Sequence, residues 1–125
     1  MSVETLKATA EKLVAHCRAG TEAEGLAELY DPDCVSVEAM PMPGSDSAEA
    51  RGIEAIRGKH AWWNDNFEVT GGRIEGPFVH GDDRFAVIFA METRNKSSGQ
   101  EDAMQEVAIY TVNDAGRITR EEFFY

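Results

Sequence analysis

The chain has no run close to the ~20 apolar residues that cross a bilayer. Its start, Met1-Ser2-Val3-Glu4-Thr5, has neither the basic opening nor the apolar stretch of a secretory signal. Both absences point to the cytoplasm. Positive charge is scarce too: 12 Lys and Arg stand against 23 Asp and Glu, a formal net charge of −11. Phosphate binding needs a positive footprint, so this balance argues against a nucleic-acid partner and against an anionic membrane surface. The acidity itself reads as solubility. There are only two cysteines, Cys17 and Cys34, and no CxxC. Two reduced, buried thiols is the first reading, and one disulfide between them the alternative. The three histidines, His16, His60 and His80, show no HxxxH and no ligand spacing, so no metal centre is expected. Gly71-Gly72 and Gly76 make neither GxGxxG nor a phosphate loop, and there is no GxSxG elbow; no cofactor is expected.

What is present fits one domain over residues 1–125. Hydrophobic residues are 42% and charged residues 28%, ordinary values for a chain that buries a real core. The first helix is expected from Glu4 to about Arg18, with Val3, Leu6, Ala10, Leu13 and Cys17 on one apolar face and Ser2 as its cap. Gly20 stops it. Thr21-Glu22-Ala23-Glu24 has the capping-box pattern and opens a short second helix with Leu26, Leu29 and Tyr30, which Pro32 ends. A strand follows over Cys34–Met40. Val35, Val37 and Ala39 share one face, and Cys34, Ser36, Glu38 and Met40 the other. After a loop at Pro41–Ser47, the third helix runs from about Ile53 to Asn66. Ile53, Ile56, His60, Trp63 and Phe67 form its apolar stripe.

The second half reads as β. Strands are expected at Val69–His80, Arg84–Arg94, Asp102–Val112 and Arg117–Tyr125. Gly81-Asp82-Asp83, Asn95-Lys96-Ser97-Ser98-Gly99 and Asn113-Asp114-Ala115-Gly116 supply the turns, giving an antiparallel meander. The strand Arg84–Arg94 is apolar on both faces: Phe85, Val87, Phe89 and Met91 on one, Ala86, Ile88 and Ala90 on the other. Such a sheet is covered on both sides. Helices can cover one side, and a second subunit is the natural cover for the other.

Three segments carry a resemblance. Leu29-Tyr30-Asp31-Pro32-Asp33-Cys34-Val35-Ser36-Val37-Glu38, Arg51-Gly52-Ile53-Glu54-Ala55-Ile56 and Asn113-Asp114-Ala115-Gly116-Arg117-Ile118 occur in the order found in the nuclear-transport-factor-2-like superfamily. Over nearly its whole length the chain resembles SnoaL-like proteins and, more distantly, ketosteroid isomerase. The resemblance implies an α+β, cystatin-like cone: three N-terminal helices packed on a strongly curved, mainly antiparallel sheet around a hydrophobic pocket. It also implies a homodimer through the sheet's outer face. The fold hosts isomerases, cyclases, dehydratases and binders, so it does not fix the activity.

Within that pattern Glu38 falls at the position of the catalytic carboxylate base. Desolvation in an apolar cavity raises the basicity of such a group. Alternation along the strand gives the plain alternative, a solvated Glu opposite the apolar face of Val35, Val37 and Ala39. Glu106 shares a strand face with Met104, Ala108 and Tyr110, so it reads as an acid, an orienting partner for His60 or an electrostatic stabiliser; its alternative is an ion pair with an Arg. His60 is a candidate acid/base near neutrality, or a half-buried histidine bonded to backbone. Tyr30 and Tyr110 are candidate phenolic donors, or packed core. Trp63, Phe67, Phe89, Met91, Met104 and Phe124 are candidate cavity lining, with Phe78 read as core or lining. By alignment, the two oxyanion donors of ketosteroid isomerase fall at about Leu13 and Ala108, so its own machinery is missing. The expected activity is cofactor-independent acid/base catalysis on a small hydrophobic carbonyl compound, by isomerisation, cyclisation or dehydration. The competing readings are a non-catalytic binder of a hydrophobic molecule and a structural dimer with a filled cavity.

Overall fold

A computed structural model describes residues 3–41 and 44–125. In chain order the elements are α1 (Val3–Ala19), α2 (Glu22–Leu29), β1 (Tyr30–Val37), β2 (Glu49–Arg51), α3 (Ile53–Asn66), β3 (Phe67–His80), β4 (Arg84–Asn95), β5 (Glu101–Val112) and β6 (Ile118–Phe124). The strands form one curled, open sheet in the order β2-β1-β6-β5-β4-β3. β3 to β6 are the expected antiparallel meander, while β1 lies parallel to β6.

Several boundaries differ from expectation for local reasons. α2 ends at Leu29, not at Pro32, because Tyr30 already turns into extended backbone (φ −95°, ψ 141°) and pairs with Ile118. Asp31 precedes a proline and so disfavours the helical region. The capping box does not form. Thr21 makes no side-chain cap bond, and its hydroxyl lies 2.7 Å from His16 Nδ1. The Ser2 cap falls outside the described residues. The three-residue β2 was not expected; it pairs with Val35–Val37, and the Glu38 N–H extends that edge by donating to the Ala48 carbonyl at 2.9 Å. Val3 is exposed, and Val14 joins Leu6, Ala10 and Leu13 in the buried face of α1. No disulfide forms: Cys34 is buried and Cys17 half-buried, and both are free.

The glycines without a nucleotide motif bend the sheet. β3 changes register against β4 at Val69/Gly71 and again at Glu75/Phe78. Bulges of this kind coil a sheet. At Gly72 the backbone has φ +138°, and a Cβ would sit 2.1 Å from the Ala90 carbonyl oxygen, so only glycine fits that approach.

Burial grades along the concave face. Phe85 and Val87 of β4, Tyr110 and Ala108 of β5, Ile118 and Glu121 of β6, and Cys34 and Ser36 of β1 are all buried. Moving on by two residues, Phe89 of β4, Glu106 of β5, Phe123 of β6 and Glu38 just past the end of β1 are only half-buried. One end of the cone is therefore packed core, while the other stays open, and α3 borders the open end. Phe78 departs from expectation. It pairs with Ala86 on the convex face and is 52% exposed.

Candidate active site

β1 carries Ser36 on its concave side with Cys34 below it, and Glu38, the first residue after the strand, continues that side. The alternation argument is thus inverted here. The side with Cys34 and Ser36 is the buried one, while Val35 and Val37 face outward and are half-buried. The inner face of β1 is polar because it meets a polar network rather than oil. Parallel pairing sets Ser36 beside Glu121, and antiparallel pairing sets Tyr110 on the other side of Glu121.

Glu121 is 3% exposed, and both its oxygens are occupied. The Tyr30 hydroxyl donates to Oε2 at 2.5 Å and the Ser36 hydroxyl to Oε1 at 2.8 Å. Lys59 Nζ, from α3, donates to Ser36 Oγ at 2.6 Å. It also lies 3.7 Å from Glu38 Oε2 and 5.1 Å above the centre of the Phe123 ring. A buried carboxylate survives in this way only when its lone pairs are met.

Glu38 is less well satisfied. Its Oε2 is buried and accepts no hydrogen bond, since 3.7 Å to Lys59 is an ion-pair contact only. Burial raises its pKa; Lys59 opposes that rise and the Glu121 charge adds to it. Glu38 also walls a cavity of about 340 Å3, together with Val37, Ala39, Glu122, Phe123, Phe124 and Tyr125. Glu106 sits opposite Phe89 on β5. Burial and then the Glu38 charge push its carboxyl up to about 7, against the pull of Lys59. His60 is half-buried on α3, where burial lowers its pKa, the Glu121 charge raises it and Lys59 lowers it further. The imidazole is therefore held toward its neutral form.

Glu106 thus senses the Glu38 charge, whereas His60 senses Glu121 and Lys59 and neither of the other two candidates. Of the three candidates, Glu38 alone walls the 340 Å3 cavity. Phe124 also lines that cavity, but it pairs with Val107 on the convex side and is 51% exposed, so it is not core. Phe89, Met91 and Met104 lie together on the open half of the concave face, through the pairs Phe89–Glu106 and Met91–Met104. Trp63 stacks on Phe67 at 4.6 Å where α3 runs into β3. Tyr30 and Tyr110 lie deeper. The Tyr30 hydroxyl is committed to Glu121, and Tyr110 stacks on Phe85 at 4.8 Å in the core. His16 bridges Thr21 and Glu28 on the helical side, and His80 is exposed at the end of β3. Among the described residues, no three His, Cys, Asp or Glu side chains are placed to hold a metal ion. No described helix is long and apolar enough to cross a membrane.

Sequence reasoning missed Lys59, Glu121 and Ser36. Lys59 had a visible signal, since it lies three residues after Ile56 and four before Trp63, on the same side of the helix. Glu121 had none. The run Arg120-Glu121-Glu122 shows three charges in a row, and a register shift at Thr111/Val112 breaks the alternation that would tell inside from outside.

Comparison with known proteins agrees with this architecture. A family model described as SnoaL-like domain matches residues 5–125. The chain belongs to the SnoaL-like family. A candidate SnoaL-like polyketide cyclase from Mesorhizobium loti, also described as a carbohydrate phosphatase, is 38% identical; the alignment covers 95% of this chain and 97% of that one, with a TM-score of 0.85. An NTF2-like protein from Burkholderia pseudomallei is 16% identical, covering 100% and 92% of the two chains at a TM-score of 0.75. The Δ5-3-ketosteroid isomerase of a Mycobacterium species is 23% identical, covering 97% and 92% at a TM-score of 0.66. Among curated proteins none is significantly similar. The SnoaL-like match and these neighbours establish an NTF2-like α+β cone, in a family that includes isomerases and cyclases.

The raised Glu106 carboxyl has a measurable consequence. A group that binds its proton more tightly folded than unfolded destabilises the fold as pH rises from the ordinary value of 4.5 to about 7. Glu106→Gln removes that charge. Its melting temperature relative to wild type is expected to climb across this interval and then level off, as calorimetry at a series of pH values would measure. An offset that stays flat with pH would mean that Glu106 titrates normally.

Proposed function

We propose that this SnoaL-like protein is a cofactor-independent acid/base catalyst for a small hydrophobic carbonyl compound. Glu38 is the base and Glu106 the acid, and His60, held toward its neutral form, lies in the field of Glu121 and Lys59 as a supporting group. The observation that carries this reading is the Glu38 carboxylate itself: a buried oxygen without a hydrogen bond, at the wall of a 340 Å3 cavity formed with Phe123, Phe124 and Tyr125. Lys59 favours the ionised form of Glu38. Glu106 is forced toward its protonated form by the same neighbourhood. Burial raises both carboxyls, Glu106 to about 7, and Lys59 opposes the rise at each; a base and an acid held together can remove a proton from carbon and return one elsewhere on the substrate. Isomerisation, aldol-type cyclisation and dehydration all begin with that removal.

The test is α-proton exchange in deuterated buffer across a panel of cyclic ketones. Glu38→Gln is expected to lower the exchange rate by about 10²- to 10⁴-fold, the usual worth of a positioned base. Unchanged exchange in Glu38→Gln removes Glu38 from the mechanism. Ligand binding with no exchange in either protein favours the non-catalytic binder, whose support is the aromatic share of the cavity wall.

Two further properties belong to the same proposal. The half-buried Ala86, Ile88 and Ala90, beside Val107 and Ile109 on the convex face, support a homodimer through that surface. The free thiols of Cys17 and Cys34 support a reducing, cytoplasmic location.

A further inference from the structure

Lys59 has no part in the proton transfer described above, yet it is the best-oriented cation near Glu38. Its side chain is only 12% exposed. An ammonium has three N–H donors, and one is spent on Ser36. Ser36 cannot turn away, because its own proton is given to Glu121 Oε1, and Glu121 is in turn anchored by Tyr30. The chain Tyr30–Glu121–Ser36–Lys59 therefore fixes where the ammonium points. Its nitrogen lies 3.7 Å from Glu38 Oε2 and 5.1 Å from the centre of the Phe123 ring, so it stands directly behind two residues that wall the cavity without itself lining it. A donor fixed before the reaction costs no reorganisation when charge develops next to it.

We propose that Lys59 is a catalytic residue that binds the substrate's carbonyl oxygen and stabilises the negative charge formed there, so that the site selects compounds able to become an enolate. This rests on the acid/base reading above. The charge balance favours it. The α C–H bond breaks, its proton goes to the Glu38 carboxylate, and its electron pair becomes the new C=C bond. The carbonyl π pair moves onto oxygen. Negative charge leaves Glu38 and appears on the substrate oxygen, and Lys59 stays paired throughout. The other charged or titratable groups around it are Glu106 on β5, Glu121 on β6 and His60 on α3; none of them is a fixed cation.

Phenols are stable mimics of an enol and report their own ionisation by absorbance. Wild type should bind 4-nitrophenol as the phenolate at a pH below the phenol's own pKa. Lys59→Met should weaken that binding by about 10- to 100-fold, the worth of a hydrogen bond to a charged group, and should bind the neutral phenol instead. Lys59→Arg should restore the phenolate signal. Should Lys59→Met fail to fold, Ser36→Ala decides: it frees the ammonium from its anchor, and the ionised fraction should fall. Equal affinity and equal ionisation in wild type and Lys59→Met, or in Ser36→Ala where that variant decides, overturns the proposal, as does a wild type that binds no phenolate. These measurements need no turnover. Ketone exchange that depends on Glu38 without Lys59-dependent phenolate binding keeps the first reading and discards this one.

Discussion

Glu121→Ala is expected to destabilise the fold by about 3 kcal/mol, as for one partner taken from a buried ionic network, and to lower Tm by about 10 °C. The reason is what stays behind. Glu121 is 3% exposed and takes protons from Tyr30 and Ser36. Without it, two hydroxyls and the Lys59 ammonium remain in a low-dielectric site facing a void. Glu121→Gln is the informative partner variant. It keeps the shape and one acceptor, and the hydroxyls can rotate to meet its N–H groups, so it should lose about 1 kcal/mol. Urea unfolding of both variants checks this. If the two lose equally, the carboxylate's charge matters more than its place in the network. If neither loses stability, the network is not structural.

The second large effect is at the closed end of the cone. Phe85→Ala is expected to cost about 4 kcal/mol, within the range for emptying an aromatic from a packed core. Phe85 is 1% exposed and stacks on Tyr110 with 15° between the rings. Its neighbours on the same face, Val87 and Ala108, are fully buried and have little room to collapse inward. For a domain with a total stability of roughly 5–15 kcal/mol, that loss is a large share. The ketone exchange of any folded fraction should be nearly unchanged, because Phe85 lies four residues along β4 from Phe89, where the open half begins. Thermal unfolding and exchange measured on the same samples would separate the two ends of the molecule. A Phe85→Ala protein that keeps its Tm but loses exchange would reverse this assignment.

The contrast between the two ends also explains what the sequence could reveal. The helices were legible from their periodic apolar residues, and the meander from its turn residues. Asn113 shows why turn chemistry is dependable: its side-chain carbonyl accepts the N–H of Ala115 and of Arg117, a contact made within five residues. Glu38 was legible only through resemblance, since alternation pointed the other way. That failure has a physical cause. Alternation identifies the buried face by its oiliness, and on β1 the buried face is Cys34 and Ser36, continued by the half-buried Glu38. Its neighbours are Glu121 and Lys59, which are 85 and 23 residues away from Ser36. No local pattern carries a network assembled over such distances. β2 escaped notice because three residues are too few to show a period, and Phe78 because a convex position reads as core when the sheet's curvature is unknown.

The parallel contact of β1 with β6 sets the order in which this molecule can be made. Tyr30 and Ser36 emerge from the ribosome early, and Glu121 emerges more than 80 residues later. Until β6 arrives, β1 has no inner neighbour, and Lys59 faces a serine that nothing anchors. Closing that long loop is an entropic cost met only at the final step. A nascent chain therefore carries its helices and most of its meander well before it has any reactive centre, and a product truncated ahead of Ile118 should be inert however well its helices form.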